Sequence, residues 1–198
     1  MMILFAAMLQ AAPALPADTY DAAVRCNDVA FLVGKGESDP PIADVARAMS
    51  FSLAAARTKS DGKPTVDRVQ EIMGSVASRA GDIDTAQLAA LTALCNQRFP
   101  AIARTSVALP ADPLTRDTLC LVASSALAGM AAQRDKRTGG NELAPLSEVM
   151  NRYASKLTEE RFKAAGLDPR EAVLAQLPAS VDVGSLPAIE QSCAALPD

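Results

Sequence analysis

Four cysteines, Cys26, Cys95, Cys120 and Cys193, offer the most specific chemistry in this 198-residue sequence. None lies in a C-x-x-C pair, and the chain contains no histidine. The missing imidazole removes Ser-His-Asp and Cys-His nucleophile activation, and with it histidine-liganded zinc, haem and non-haem iron. It also removes the side chain whose ordinary pKa lies nearest neutrality. The thiols are therefore read as two disulfides or as four buried core residues, not as metal ligands or a redox motif.

Carboxylates can hydrolyse glycosides without histidine when two of them face each other at a suitable separation. Glu71 and the run Glu159-Glu160-Arg161 are the obvious carboxylates away from helix caps. Their spacing singles out no pair, and a solvated helix face explains them. Asp39, Asp84 and Asp168 read as caps. Ser124-Ser125 and Lys163 fall in no nucleophile motif, and Gly34-Lys35-Gly36 lacks the strand and spacing of a phosphate loop. The sequence thus nominates no catalytic residue, no cofactor and no metal site.

The cysteines gain meaning from a repeat. The word Leu-Pro-Ala-Asp occurs at 15–18 and at 109–112, and each copy is followed after seven residues by a cysteine, Cys26 or Cys120. A second block, 41–53, places Ile42, Val45, Ala46, Met49 and Leu53 on one helical face. Residues 145–157 place Leu146, Val149, Met150, Tyr153 and Leu157 at the same spacing. A third block ends at Cys95 and again at Cys193, with Leu88 and Leu91 matching Leu186 and Ile189. The offsets are 94, 104 and 98 residues, so the second copy gains 10 between its first two helices and then loses 6. The order of the blocks predicts an internal duplication. It selects one pairing of the three that four cysteines allow, Cys26 with Cys95 and Cys120 with Cys193.

The elements that must hold these residues read as helices throughout. One unit comprises helices over about 19–33, 41–58, 65–80 and 85–98. The other has helices over about 114–134, 145–157, 159–165, from 168 onward, and 186–196. Pro41, Pro145 and Pro169 suit first turns, and Asp84, Asp168 and Ser185 suit caps. No segment alternates over a strand length, and 101–112 has no helical period. The expected fold is all-α: two tandem, duplicated four-helix units, each closed by a disulfide between its first and last helix. The units could pack face to face about a pseudo-twofold axis or stand as two lobes. Only 4 % of residues are aromatic and there is no Trp. A core of small aliphatic side chains gains less per residue from burial, which makes covalent closure valuable.

The N-terminus carries an apolar run, Ile3 to Leu9, followed by Ala12-Pro13-Ala14. This is a signal-peptide pattern with cleavage after Ala14, though the segment before the run has no Lys or Arg. The expected organisation is a cleaved signal peptide at 1–14, one unit at 15–108 and another at 109–198. The compartment would be periplasmic or extracellular, where disulfides persist. No later stretch has the length of a membrane span.

Net charge is −4 and no long basic run exists, which disfavours nucleic acid as a partner. The densest cationic cluster is Arg134, Lys136 and Arg137, within the 10-residue gain. Gly139-Gly140 follow it, and it reads as a mobile loop, either simply solvated or a contact for an acidic partner. The functional expectation is a non-enzymatic exported protein that binds another protein or an envelope component. The alternatives are a carboxylate hydrolase working in a cleft between the units and a small-molecule binder in an apolar cavity between them.

Overall fold

A computed structural model of the chain describes residues 13–35, 40–59 and 65–197. Asp39, and most of the expected signal peptide, lie outside the described residues. Among the described residues ten α-helices follow in order: α1 Thr19–Gly34, α2 Ile42–Arg57, α3 Thr65–Gly74, α4 Val76–Ala80, α5 Leu88–Arg98, α6 Pro113–Thr138, α7 Leu143–Lys156, α8 Glu159–Ala164, α9 Pro169–Val183 and α10 Leu186–Ala194. A 3₁₀ turn, Thr85–Gln87, leads into α5. Among the described residues there is no strand.

Local chemistry sets most of these boundaries. Asp18, Asp112 and Asp168 each accept a hydrogen bond from the third backbone N–H ahead, at 3.0, 2.7 and 2.9 Å. Asp84 accepts from Ala86 N–H and Ser185 from Ala188 N–H. Such side chains satisfy amides that the first helical turn leaves without carbonyl partners. The single helix expected over 65–80 is instead two, broken at Ser75, whose hydroxyl donates to Glu71 C=O.

Both disulfides are present, Cys26–Cys95 and Cys120–Cys193. Each ties the first long helix of a half, α1 or α6, to its last, α5 or α10. The closed loops span 69 and 73 residues.

One apolar core runs through both halves and takes in all four cysteines, with Phe51, Leu53 and Leu91 from the first and Leu119, Tyr153, Leu186 and Ile189 from the second. At its centre is α2, which packs against α1, α3, α6, α9 and α10. Every residue from Ser50 to Ala56 is buried. Small side chains make this possible, because helices can crowd an Ala- and Ser-rich surface from several sides. The two buried serine hydroxyls of α2 are satisfied: Ser50 donates to Ala46 C=O and accepts from Leu186 N–H, and Ser52 donates to Asn27. By contrast α7 buries only Val149 and Tyr153 and packs mainly on α6. A face-to-face twofold would bury α2 and α7 alike, and the molecule does not.

Two buried carboxylates brace the halves. Asp28 on α1 takes a bidentate pair from Arg79 of α4, at 2.7 and 3.0 Å, and a further bond from Asn27. Asp117 on α6 lies between Arg161 of α8, at 3.0 Å, and its neighbour Arg116, at 3.4 Å. The 101–112 linker crosses from α5 to α6 beside the α9–α10 junction. There Gly184 allows a close approach, since a Cβ at this position would stand 2.5 Å from Val107 Cγ1. Among the described residues no single helix is long and apolar enough to cross a membrane. Helices α9 and α10 would pass together by length and composition but are bent by 97°.

Candidate functional site

The charged segment that reads as a mobile loop is helical. Residues 129–138 extend α6, which has 26 residues against 16 in α1. Alanine, glutamine, arginine and lysine all favour helix, and only at Gly139 does the backbone turn left-handed, at φ 72°. The following turn is fixed by Asp135, whose carboxylate accepts the N–H groups of Glu142 and Leu143 at 3.1 and 2.9 Å. Gly140 N–H donates to the Thr138 hydroxyl.

This extension builds one wall of a cleft between the halves. Met130, Gln133, Arg134 and Arg137 share a stripe at i, i+3, i+4 and i+7 and line it. The opposite wall is Phe31 of α1 with Pro40, Ile42 and Val45 at the start of α2. The cleft encloses about 510 Å³. All five of its apolar side chains are half-buried, and none stands out into solvent. Arg134 pairs with Glu142 at 3.2 Å. Of the three cations expected to act together, Arg134 and Arg137 reach the cleft, whereas Lys136 is exposed and does not line it.

Two other spaces are smaller. A cleft of about 230 Å³ lies where Arg57, Thr58, Arg98 and Phe99 meet Val181 and Asp182, and an Arg57–Asp182 pair at 2.5 Å bridges the halves there. A pocket of about 40 Å³ sits against the Cys26–Cys95 disulfide, with Arg47 donating to Asn96 at its edge. The buried Thr92 hydroxyl at this pocket has no hydrogen-bond partner among the described residues. The space and the orphaned hydroxyl suit one or two structural waters.

The carboxylates weighed for catalysis do not form a centre. Glu159 and Glu160 are exposed in the first turn of α8, and Glu71 is exposed on α3. Hydrogen bonds from its own backbone N–H and from Thr158 hold the Glu160 carboxyl below its ordinary range. Burial pushes the Glu190 carboxyl up, and burial likewise raises the Tyr153 phenol, which donates to Cys193 C=O at 2.8 Å. Among the described residues no group of three or more Asp, Glu, Cys or His could hold a metal ion.

Sequence reasoning missed the first-half wall of the cleft and both buried ion pairs. The period Met130, Gln133, Arg134, Arg137 was a usable signal, since it continues the helical pattern of α6 without a breaker. Comparison with family models, with curated proteins and with solved structures returned no match.

Proposed function

We propose that this chain is an exported, disulfide-locked helical protein that binds an envelope component in the cleft between its halves. The observation that carries the reading is that cleft, with one wall contributed by a helical extension that has no counterpart on α1. Its volume lies within the roughly 300–1,000 Å³ of small-molecule and cofactor sites. A binding role is favoured over carboxylate hydrolysis because the carboxylates considered for catalysis are dispersed on exposed helix faces.

Export is supported by two closed disulfides, which persist in oxidising compartments. The proposed cleavage point also suits the fold. Ala14 is exposed, whereas Leu15 is half-buried in a recess with Leu94, Gln97 and Arg98, so cleavage after Ala14 leaves an anchored terminus.

Duplication remains our reading of the two halves. Asp18 and Asp112 cap α1 and α6 at the 94-residue offset, and the disulfides join corresponding helices. The ten additional residues of α6 equal the gain inferred from the sequence offsets.

Envelope fractionation tests the whole reading, with N-terminal sequencing and cross-linking of the secreted form. We expect a chain beginning at Leu15 with both disulfides closed, and a cross-linked component that is lost in an Arg134→Gln/Arg137→Gln variant. A reduced chain retained in the cytosol with Met1 in place would overturn it.

A further inference from the structure

We infer that a second site, on the flank of α2 that carries Asp44 and Arg47, binds a small α-amino acid, with its ammonium at Asp44 and its carboxylate at Arg47 and Arg104. The site is separate from the cleft described above. Ile42 and Val45 are the helical residues of α2 that line that cleft, whereas Asp44 and Arg47 line two other spaces. One is the pocket of about 40 Å³ at the Cys26–Cys95 disulfide. The other, of about 210 Å³, is bounded by Ile102, Arg104 and Thr105 of the linker and by Pro187 and Gln191 of α10.

Three observations define the ligand. The first is charge without a counter-charge. Asp44 is half-buried, yet among the described residues nothing donates to its carboxylate and no cation stands within ion-pair distance. Arg47 donates to the neutral Asn96 side chain at 2.7 Å, and the exposed Arg104 side chain has no hydrogen bond or ion pair among the described residues. A carboxylate partly withdrawn from water is costly until a cation answers it. The second observation is the backbone beside Asp44. A Cβ at Gly34 would stand 3.2 Å from Asp44 Cβ and 3.9 Å from Oδ2, so the carboxylate lies against the C-terminal end of α1. The last turn of α1 carries no basic residue. A helix C-terminus favours positive charge, so a ligand ammonium here meets both the carboxylate and the dipole. The third is spacing. Asp44 and Arg47 stand at i and i+3, which sets their Cβ atoms about 5–6 Å apart on one face, and they do not pair with each other. Opposite charges held one turn apart suit a ligand whose ammonium and carboxylate share one carbon.

The larger space is below the roughly 300–1,000 Å³ of drug-sized ligand sites, so it suits a molecule of few atoms. Ala43, Ile102 and Pro187 offer apolar contact to a short side chain, and Thr105 and Gln191 offer polar groups. A simple carboxylate would leave Asp44 unanswered beside it. A simple amine would leave the arginines unused.

Calorimetric titration of the oxidised full-length chain tests this with alanine and serine, and with propionate and ethylamine, each of which lacks one of the two charges of alanine. Alanine should bind at least about tenfold tighter than either analogue, because each analogue forfeits a charge-assisted contact. Asp44→Asn should bring alanine down to the level of propionate. Arg104→Gln should weaken alanine and propionate several-fold and leave ethylamine unchanged. Since Arg104 is exposed and unbonded, this variant keeps the fold, which its circular dichroism checks. Equal binding of alanine and either analogue would overturn the proposal, as would binding unaffected by both substitutions. Binding of propionate in preference to alanine would mark a plain anion site and equally overturn it, and so would the failure of both amino acids to bind at millimolar concentration. The envelope cross-link that depends on Arg134 and Arg137 is read separately, because neither residue lines this site.

Discussion

The second helix of each half does a different job. Helix α2 is buried from Ser50 to Ala56 and touches elements of both halves, while α7 covers one side of α6 and buries only Val149 and Tyr153. The local patterns that introduce the two helices are similar, yet their packing is not. Around α2 the side chains are Ala and Ser, which other helices can approach closely. Around α7 stand Glu148, Asn151, Arg152 and Lys156, which need water or polar partners. The first half thus supplies the central strut, and the second, through the longer α6, supplies the cleft wall.

The disulfides offer the largest test of whether the two halves are equally constrained. Replacing Cys26 and Cys95 together by Ala should cost roughly 4 kcal/mol, and replacing Cys120 and Cys193 a similar amount, because the chain-entropy term depends on loops of 69 and 73 residues. Urea denaturation of both double variants measures this. Unfolding midpoints lowered by very different amounts would show that the loops are not equivalent constraints.

The buried ion pairs should separate the halves. Arg79→Met leaves Asp28, 2 % exposed, without its bidentate partner and should cost about 3 kcal/mol or more. Arg161→Met leaves Asp117 with Arg116 at 3.4 Å and should cost roughly 1–2 kcal/mol. Equal losses in chemical denaturation would contradict the different bracing seen in the two halves.

A paired substitution addresses the two second helices themselves. Ala55→Leu on α2 should cost about 1–3 kcal/mol by overpacking, since this position is fully buried. Ala154→Leu on exposed α7 should stay within about 0.5 kcal/mol. Similar thermal shifts for both would remove the distinction.

The smallest effect concerns Glu190. Burial raises its folded pKa above the ordinary 4.5, so the folded chain holds that proton more tightly than the unfolded chain does. The associated stability is fully present below the unfolded value and is lost as pH rises through the folded one. Glu190→Gln should therefore raise the melting temperature at pH 7 and leave it nearly unchanged at pH 4. A gain of the same size at both pH values would rule out titration of Glu190 as the cause.

These contrasts also mark what the sequence could convey. The cysteine pairing was legible because the offsets Leu15 to Leu109 and Cys26 to Cys120 agree, and the caps at Asp84, Asp168 and Ser185 were legible because capping is local. The central place of α2 was not. Of its apparent apolar face, Ala46 and Leu53 are fully buried but Ile42, Val45 and Met49 are only half-buried, whereas Ser50 and Ser52, off that face, are fully buried. Small polar residues in a packed helix give no periodic hydrophobic signal. The Asp28–Arg79 and Asp117–Arg161 pairs join residues 51 and 44 positions apart, beyond any local pattern. At the cleft, the cations were legible as residues but not as a wall. Charge and the two glycines suggested a loop, while helix propensity and the cap at Gly139 carry α6 through to Thr138.

The most direct test of function is a comparison of two apolar positions, one in the cleft and one outside it. Photo-cross-linking residues placed at Met130 and at Leu174, an exposed leucine on α9, can be activated in cells and the products analysed by mass spectrometry. The account predicts one defined envelope component attached at Met130 and only diffuse background at Leu174. The same adducts at both positions, or a defined product at Leu174 alone, would contradict it.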